Sequence, residues 1–348
     1  MIPTICLNMI VKNESKTLPK CFESIKDIIS YYVISDTGSE DGTPELIKEI
    51  MDGYGIKGEV HHHKWENFGV NRQLALEPAI GKADYALILD ADEVLNYKSK
   101  KIFENLGDAN QIKVKLPTKV FASNRIINIK NDNFLGWKWE GVIHNYLIPN
   151  LPLNTIKNQS QDDIYVIPKI HGGAKSHGIS IEDKFLRDAK LLLKEYKRNP
   201  KDTRTLYYLG QSYLEAGKFK KAIKFYTLRT KIVDNHQISQ EEIFWSLYHI
   251  AMCKIGLNES FEHFENEVLY DFLRCWNFRK SRLEPLWIIA SIFNNAGRHK
   301  EAFSYGCLGM GIKIPQNELL PVKEEVYKGA YKEQMQIAAK AIGVSLEF

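Results

Sequence analysis

The apolar run Leu87-Ile88-Leu89 leads directly into Asp90-Ala91-Asp92-Glu93, three carboxylates interrupted by one alanine. Read as a strand, this run alternates its side chains, so Asp90 and Asp92 project to the same side at its carboxyl end. Two convergent carboxylates suit a hard divalent cation that keeps open positions for diphosphate oxygens. D-x-D by itself also occurs in solvated acidic turns, so its surroundings decide. Two further polar segments close apolar runs: Met9-Ile10-Val11-Lys12-Asn13-Glu14, and Ser35-Asp36-Thr37-Gly38-Ser39-Glu40-Asp41-Gly42-Thr43. Asp, Gly, Ser and Thr form ordinary turns. Three such ends on one edge of an α/β sheet, however, form the kind of edge at which open sheets bind ligands. His61-His62-His63 is less informative, because consecutive strand residues alternate faces and at most His61 and His63 converge; the run reads as strand-end surface.

The elements that would position these residues are legible in the first hundred positions. Ile5–Val11, Tyr32–Ser35, Gly58–His62 and Tyr85–Leu89 read as strands. Between them, Leu18, Cys21, Phe22 and Ile25 recur at helical spacing, and Thr43-Pro44 reads as an N-cap followed by a first-turn proline. The β-α-β-α-β-α-β order implies a mostly parallel sheet with crossover helices. From about Ser180 the strand signals stop and helical patterns take over, placing a boundary near Gly178 between a domain at 1–178 and an all-α domain at 179–348. Leu206, Leu209-Gly210, Tyr213, Gly217, Ala222 and Tyr226 have the spacing of a tetratricopeptide repeat, departing from it at Arg229 and Asp234. The spacing returns at Leu286, Ile289-Ala290, Phe293, Gly297 and Ala302. Gly210, Ala290 and Ala302 would let paired helices approach, and Gly217 and Gly297 would turn the chain between them.

Composition narrows the class. The chain has 348 residues, too many for one ordinary core, with 44% hydrophobic and 26% charged residues. Forty-seven basic against 43 acidic residues leave a net charge of +4 with no long run of one sign, so nothing calls for nucleic acid as a partner. The five cysteines are widely spaced without a C-x-x-C pair, which points to a reducing compartment rather than to disulfides or zinc. Met1–Lys12 does not read as a signal peptide, and no apolar window is long enough to span a bilayer, so a cytoplasmic location is expected.

The segments quoted above resemble glycosyltransferase family 2, whose GT-A fold carries an I-V-K-N-E-like strand end, D-T-G-S-x-D-G-T and D-A-D-E. The resemblance extends to Trp65-Glu66-Asn67-Phe68-Gly69 with Asn71-Arg72-Gln73, to the W-x-W-x-G-V-x-H pattern at Trp137–His144, and to Asp183–Ala189. Arg282-Leu283-Glu284-Pro285-Leu286 looks like the helical repeat domain that follows the catalytic domain in one branch of the family.

The resemblance implies metal-dependent, inverting transfer from a nucleoside diphosphate sugar, usually a UDP-sugar, to a glycan, lipid-linked or protein acceptor. Carried over by position, Val11, Asn13 and Glu14 border the nucleoside, and Asp36 accepts a hydrogen bond from the base. Arg72 approaches the diphosphate, Asp90 the ribose, and Asp92 a Mn2+ or Mg2+ ion, with His171 as a further metal ligand. The helical domain would bind acceptor or support a homo-oligomer. One departure matters: the family reads H-E where this chain has His144-Asn145, and an amide cannot take the acceptor's proton. Glu140, beside Trp139, becomes the nominated base, its pKa expected to rise if the aromatic neighbour partly desolvates it. The competing reading is a catalytically silent GT-A domain in an interaction protein. A nucleotidyltransferase would require a glycine- and basic-rich phosphate loop that Val11-Lys12-Asn13-Glu14 does not supply.

Overall fold

Ile5–Val11 (β1) is apolar on both sides of the pleat, as a strand buried on both faces of a sheet must be. Ile5, Leu7, Met9 and Val11 face one core, with Leu18, Cys21, Phe22 and Ile25 of Leu18–Ile25 (α1) and with Ile47 and Met51 of Thr43–Gly53 (α2). Cys6 faces a second core on the opposite side, with Leu76 and Trp137. Asn8, 3% exposed, is admitted there because its amide donates to the carbonyls of Ala75 and Val33.

The computed structural model describes residues 2–115, 120–130, 136–159, 163–168, 180–233, 236–315 and 318–346, which fall into two compact units, Met1–Ser180 and Ile181–Phe348. In the first, β1 pairs in parallel with Tyr31–Asp36 (β2), which pairs in parallel with Lys57–His62 (β3). On its other side β1 pairs in parallel with Tyr85–Ile88 (β4), reached through Phe68–Leu76 (α3). The order β3-β2-β1-β4 therefore reverses at β1, which makes a switch point on the edge where the carboxyl ends of these parallel strands lie. The sheet continues with Glu93–Tyr97 (β5), Ala109–Lys115 (β6) and Val120–Asn128 (β7); β7 is antiparallel to β4 and to β6. Lys138–Glu140 (β8) and Tyr146–Ile148 (β9) form a separate antiparallel pair. Ile156–Asn158 (β10) and Ile164–Pro168 (β11) both run parallel to β6, and β11 is antiparallel to β5. The result is the mixed sheet of a GT-A-type domain.

Two sequence expectations need correction here. Gly42, at φ 78°, is the N-cap of α2 in place of Thr43, because the left-handed turn falls on the glycine; Thr43 is the first helical residue and Pro44 still sits in the first turn. The strand ahead of Asp90 stops at Ile88, so Asp90 and Asp92 lie in a turn and not along the strand.

The second unit is helical throughout its described elements: Ile181–Arg198 (α4), Thr203–Glu215 (α5), Phe219–Thr230 (α6), Gln237–Leu257 (α7), Phe261–His263 (α8), Leu269–Phe278 (α9), Glu284–Asn295 (α10), His299–Cys307 (α11) and Tyr331–Ile342 (α12). The small residues do the packing expected of them. A Cβ on Gly210 would sit 2.5 Å from the Tyr226 ring, so α5 and α6 touch only because it is absent. Gly217 and Gly297 turn the chain at φ 68° and 72°. Arg229, where a small residue was expected, is fully buried because its guanidinium is spent on Glu242, Ser239 and the Ile232 carbonyl. Asp234 lies outside the described residues. Among the described residues no helix is long and apolar enough to cross a membrane.

Candidate active site

The ends of β1 and β2 are joined by side-chain-to-backbone bonds. Thr37 donates both its N–H and its hydroxyl to the Val11 carbonyl, at 2.9 and 3.0 Å. Asn13 adopts φ 55°, a conformation asparagine tolerates; its N–H donates to Ser39 Oγ and its side-chain oxygen accepts from Glu40. The Glu14 N–H donates to Thr43 Oγ1, while Asp41 accepts from the N–H and hydroxyl of both Ser15 and Thr43. Burial works against the Asp41 charge, but these donors outweigh it and bring its pKa down to about 2. Asp36, 3% exposed, accepts from the backbone of Gly38 and Ser39 and lies 3.4 Å from His62 Nδ1. D-T-G-S-x-D-G-T is thus a preformed loop in which each polar residue has a partner.

A buried ion pair shapes the third strand end. Arg125 of β7 makes a two-pronged bond to Glu93, at 2.8 and 2.7 Å, and donates to the Ile88 carbonyl. Glu93 in turn accepts the Asp90 N–H at 2.9 Å, which folds the chain out of β4 and sets Asp90 and Asp92 on the turn. Burial raises the pKa of Glu93, against the pull of Arg125. Asp90 is the reverse case: burial opposes its charge, but Arg72 and Arg125 prevail and hold it below the usual carboxylate range. Its direct partner is Arg72 Nη2, at 2.5 Å.

Asn67, Gly69, Asn71 and Gln73 of the Trp65–Gln73 motif fix the helix and the neighbouring segment around Arg72. Asn67 caps α3 by accepting from Val70, and Asn71 bonds the Glu66 N–H and the Lys64 carbonyl. Gly69 lets the β8–β9 segment close in, since a Cβ there would lie 2.5 Å from the Gly141 carbonyl. Gln73 accepts the Trp139 N–H, and the Trp139 ring lies 4.9 Å from the Arg72 guanidinium.

These parts enclose a groove. One stretch, about 230 Å³, is lined by Val11, Lys12, Glu14, Arg72, Asp90 and Asp92, among others. An adjoining stretch of about 460 Å³ is lined by Asp36, Thr37, Gly38, His62, His63 and Lys64, and shares Lys12, Thr37 and Trp65 with the first. Val11, Glu14, Asp36, Arg72, Asp90 and Asp92 are therefore brought to one groove, with Asn13 bracing its wall. His62 and His63 join them, although the sequence read them as plain surface; His63 Nδ1 lies 3.0 Å from Ser35 Oγ. Glu93 and Arg125 are the supporting pair that sequence reasoning missed. Glu140 is not among the groove's lining residues: its carboxylate accepts from the Tyr146 hydroxyl at 3.1 Å and faces Lys138 at 3.7 Å. The aromatic group that bonds it is Tyr146, while Trp139 turns its ring to Arg72. His171 lies outside the described residues. Among the described residues no three His, Cys, Asp or Glu side chains are gathered around a common point.

Residues 6–139 match the model of glycosyl transferase family 2. The SPbeta prophage-derived glycosyltransferase SunS of Bacillus subtilis is 27% identical over 278 residues, 74% of this chain and 60% of SunS. A TPR repeat-containing protein of Synechococcus elongatus is 39% identical over 92 residues, 26% of this chain and 21% of that protein. The chain thus spans less than two thirds of the length of SunS and about a fifth of the length of the repeat protein. Among solved structures, S. aureus TarS 1–349 in complex with UDP-GlcNAc overlays at 15% identity and a TM-score of 0.39, covering 88% of this chain and 90% of that one, too loosely to assign residues. By its motifs, sheet topology and family match, the N-terminal unit is a glycosyl transferase family 2 domain of GT-A type, followed by a tetratricopeptide-like helical unit.

Proposed function

We propose that this chain transfers a sugar from a nucleoside diphosphate donor, with a UDP-sugar as the preferred class, to a carbohydrate, lipid-linked or protein hydroxyl. The observation that carries the reading is the single groove at the carboxyl ends of β1, β2 and β4, lined by Asp36, Arg72, Asp90 and Asp92. Its Asp36 stretch suits a base and ribose: a buried carboxylate flanked by Lys12, His62 and His63 presents acceptors and donors around a planar ring. The Arg72 stretch suits a diphosphate, whose charge the guanidinium meets.

A divalent cation fits the donor set. Asp92 and Glu14 line the same stretch, both hard oxygen donors, and Mg2+ or Mn2+ is held in such sites by one or two carboxylates plus phosphate oxygens. Asp92 would hold it, and the cation would supply Lewis-acid neutralisation of the departing nucleotide. Asp90, engaged by Arg72, orients that guanidinium. The acceptor hydroxyl attacks the anomeric carbon opposite the leaving diphosphate, the bond from that carbon to the diphosphate breaks, and configuration inverts. We assign the acceptor's proton to Glu140, the carboxylate of the β8–β9 pair that carries Trp139.

The test is a melting series over nucleotide sugars with and without manganese. A ligand at about 100 times its Kd stabilises by about 2.7 kcal/mol, so one UDP-sugar with metal should raise the melting point by several degrees. No response to any combination would overturn the reading.

A further inference from the structure

Between α11 and the helical turn at Val326 the chain runs through Glu318–Lys323 with no helix or strand of its own. Side chains of other elements hold it. Arg279 Nη2 and Arg282 Nη1 donate to the two oxygens of Glu318, at 2.6 and 3.1 Å. The Leu319 and Leu320 N–H groups donate to the two oxygens of Glu241 in α7, at 3.0 and 2.5 Å. The Lys323 N–H reaches Glu284 of α10 at 3.4 Å. The holding groups are part of the interior, with Glu241, Arg282 and Glu284 all at 0% exposure. The held segment is not: Leu319 is 57% exposed, and of its side chains only the Glu318 carboxylate, at 7%, is well covered.

Burying three charged side chains costs several kcal/mol per ion unless their bonds are met; Arg282 and Glu284 meet most of theirs with each other, at 2.6 to 3.2 Å, while Glu241 takes the backbone of the held segment. Their arrangement has a use in reading an extended chain: two guanidinium groups take a side-chain carboxylate, and a fixed carboxylate takes two successive backbone N–H groups. Arg279 Nη1 is buried yet has no hydrogen-bond partner among the described residues, so the clamp has a donor that Glu318 leaves unused. We propose that this face of α7, α9 and α10 is a docking site for an extended acidic segment of a partner protein, a glutamate or aspartate followed by two apolar residues, and that the chain's own Glu318–Lys323 occupies it until displaced. An external segment with a second acceptor beside its carboxylate satisfies Arg279 fully and outcompetes the internal one.

The test uses the full chain and a labelled peptide of the segment's own sequence, Glu-Leu-Leu-Pro-Val-Lys, capped at both ends. Glu318→Ala weakens the internal occupant, whose tethering gives it a large effective concentration in the wild type. The variant should bind the peptide at least about tenfold more tightly than wild type, and adding Arg279→Ala should remove that gain. In the wild type, the Leu319 and Leu320 amides should exchange with deuterium at least about a hundredfold faster than amides in the middle of α10. Equal peptide affinity in the two proteins, exchange of Leu319 and Leu320 as slow as α10, loss of helix content in Glu318→Ala, or dimerisation in place of peptide binding would each overturn the proposal.

Discussion

Arg125→Met tests the supporting layer beneath the groove. Glu93 is 4% exposed, and its only charged partner at hydrogen-bond distance among the described residues is Arg125, through the bonds at 2.8 and 2.7 Å. Deleting one member of such a pair leaves an uncompensated buried charge and costs about 3–5 kcal/mol. Glu93 can relieve part of that by taking a proton, since burial already raises its pKa while Arg125 still opposes the rise. Above the unfolded value of a glutamate the native state then holds a proton that the unfolded chain has lost. Stability of the variant must fall as pH rises, by up to about 1.4 kcal/mol per unit. The readout is amide exchange of peptides covering β4 and β5, which should speed up by about two to three and a half factors of ten relative to wild type, and more at pH 8 than at pH 6. Replacing the pair together, Glu93→Leu with Arg125→Met, should recover most of the stability. It should not recover nucleotide binding, because the Asp90 N–H then has no acceptor to hold the turn. A loss in Arg125→Met below about 1 kcal/mol, or one independent of pH, would show that Glu93 does not depend on Arg125 for its burial.

Glu140→Gln should lower transfer by about 10² to 10⁴ while leaving the nucleotide-dependent melting shift intact; unchanged turnover would remove Glu140 from the mechanism. Asp41, whose pKa is lowered from an ordinary 3.8 to about 2, contributes stability that is present above pH 3.8 and is lost as pH falls towards 2. Asp41→Asn should therefore flatten the melting point of the N-terminal unit across that interval, and an unaltered acid limb would contradict the assignment. Burial, helped by Lys323, lowers the pKa of His249 from 6.5 to about 3, so the unfolded chain binds a proton there that the native helical unit refuses. Stability of that unit should decline as pH drops from 6.5 towards 3, and His249→Phe should reduce the slope when followed by helical circular dichroism.

The strands of the first half of the N-terminal unit were legible because a parallel sheet buried on both faces produces continuous apolar runs, as in Ile5–Val11 and Tyr85–Ile88. The polar loops were legible because their residue types are turn formers ending such runs. The stretch from Ala109 to Asn158 was not, since several of its strands are three residues long and pair across large sequence distances. Glu93 illustrates the limit. Its sequence neighbours make it the third carboxylate of the Asp90–Glu93 run, but its partner is 32 residues away on β7, which makes it a brace under the turn that carries Asp90 and Asp92. His62 was dismissed for a local reason, strand alternation, although its contact with Asp36 is set by the register of β2 against β3. In the helical unit the glycines announced the turns and close approaches. The buried charges Arg229 and Glu241 did not announce their burial, because their partners lie in other elements or in the segment after α11.

The proposed reaction requires the groove over β1, β2 and β4 to hold an activated sugar for transfer. It is tested most directly by incubating the protein with a panel of nucleoside diphosphate sugars and manganese and quantifying free nucleotide by mass spectrometry, in wild type and in Asp92→Asn. Wild type should release UDP from at least one UDP-sugar, and Asp92→Asn about a hundredfold less, the scale on which losing a group that stabilises the departing charge reduces rate. Release of no nucleotide from any donor by wild type, or equal release by Asp92→Asn, would contradict the proposed reaction.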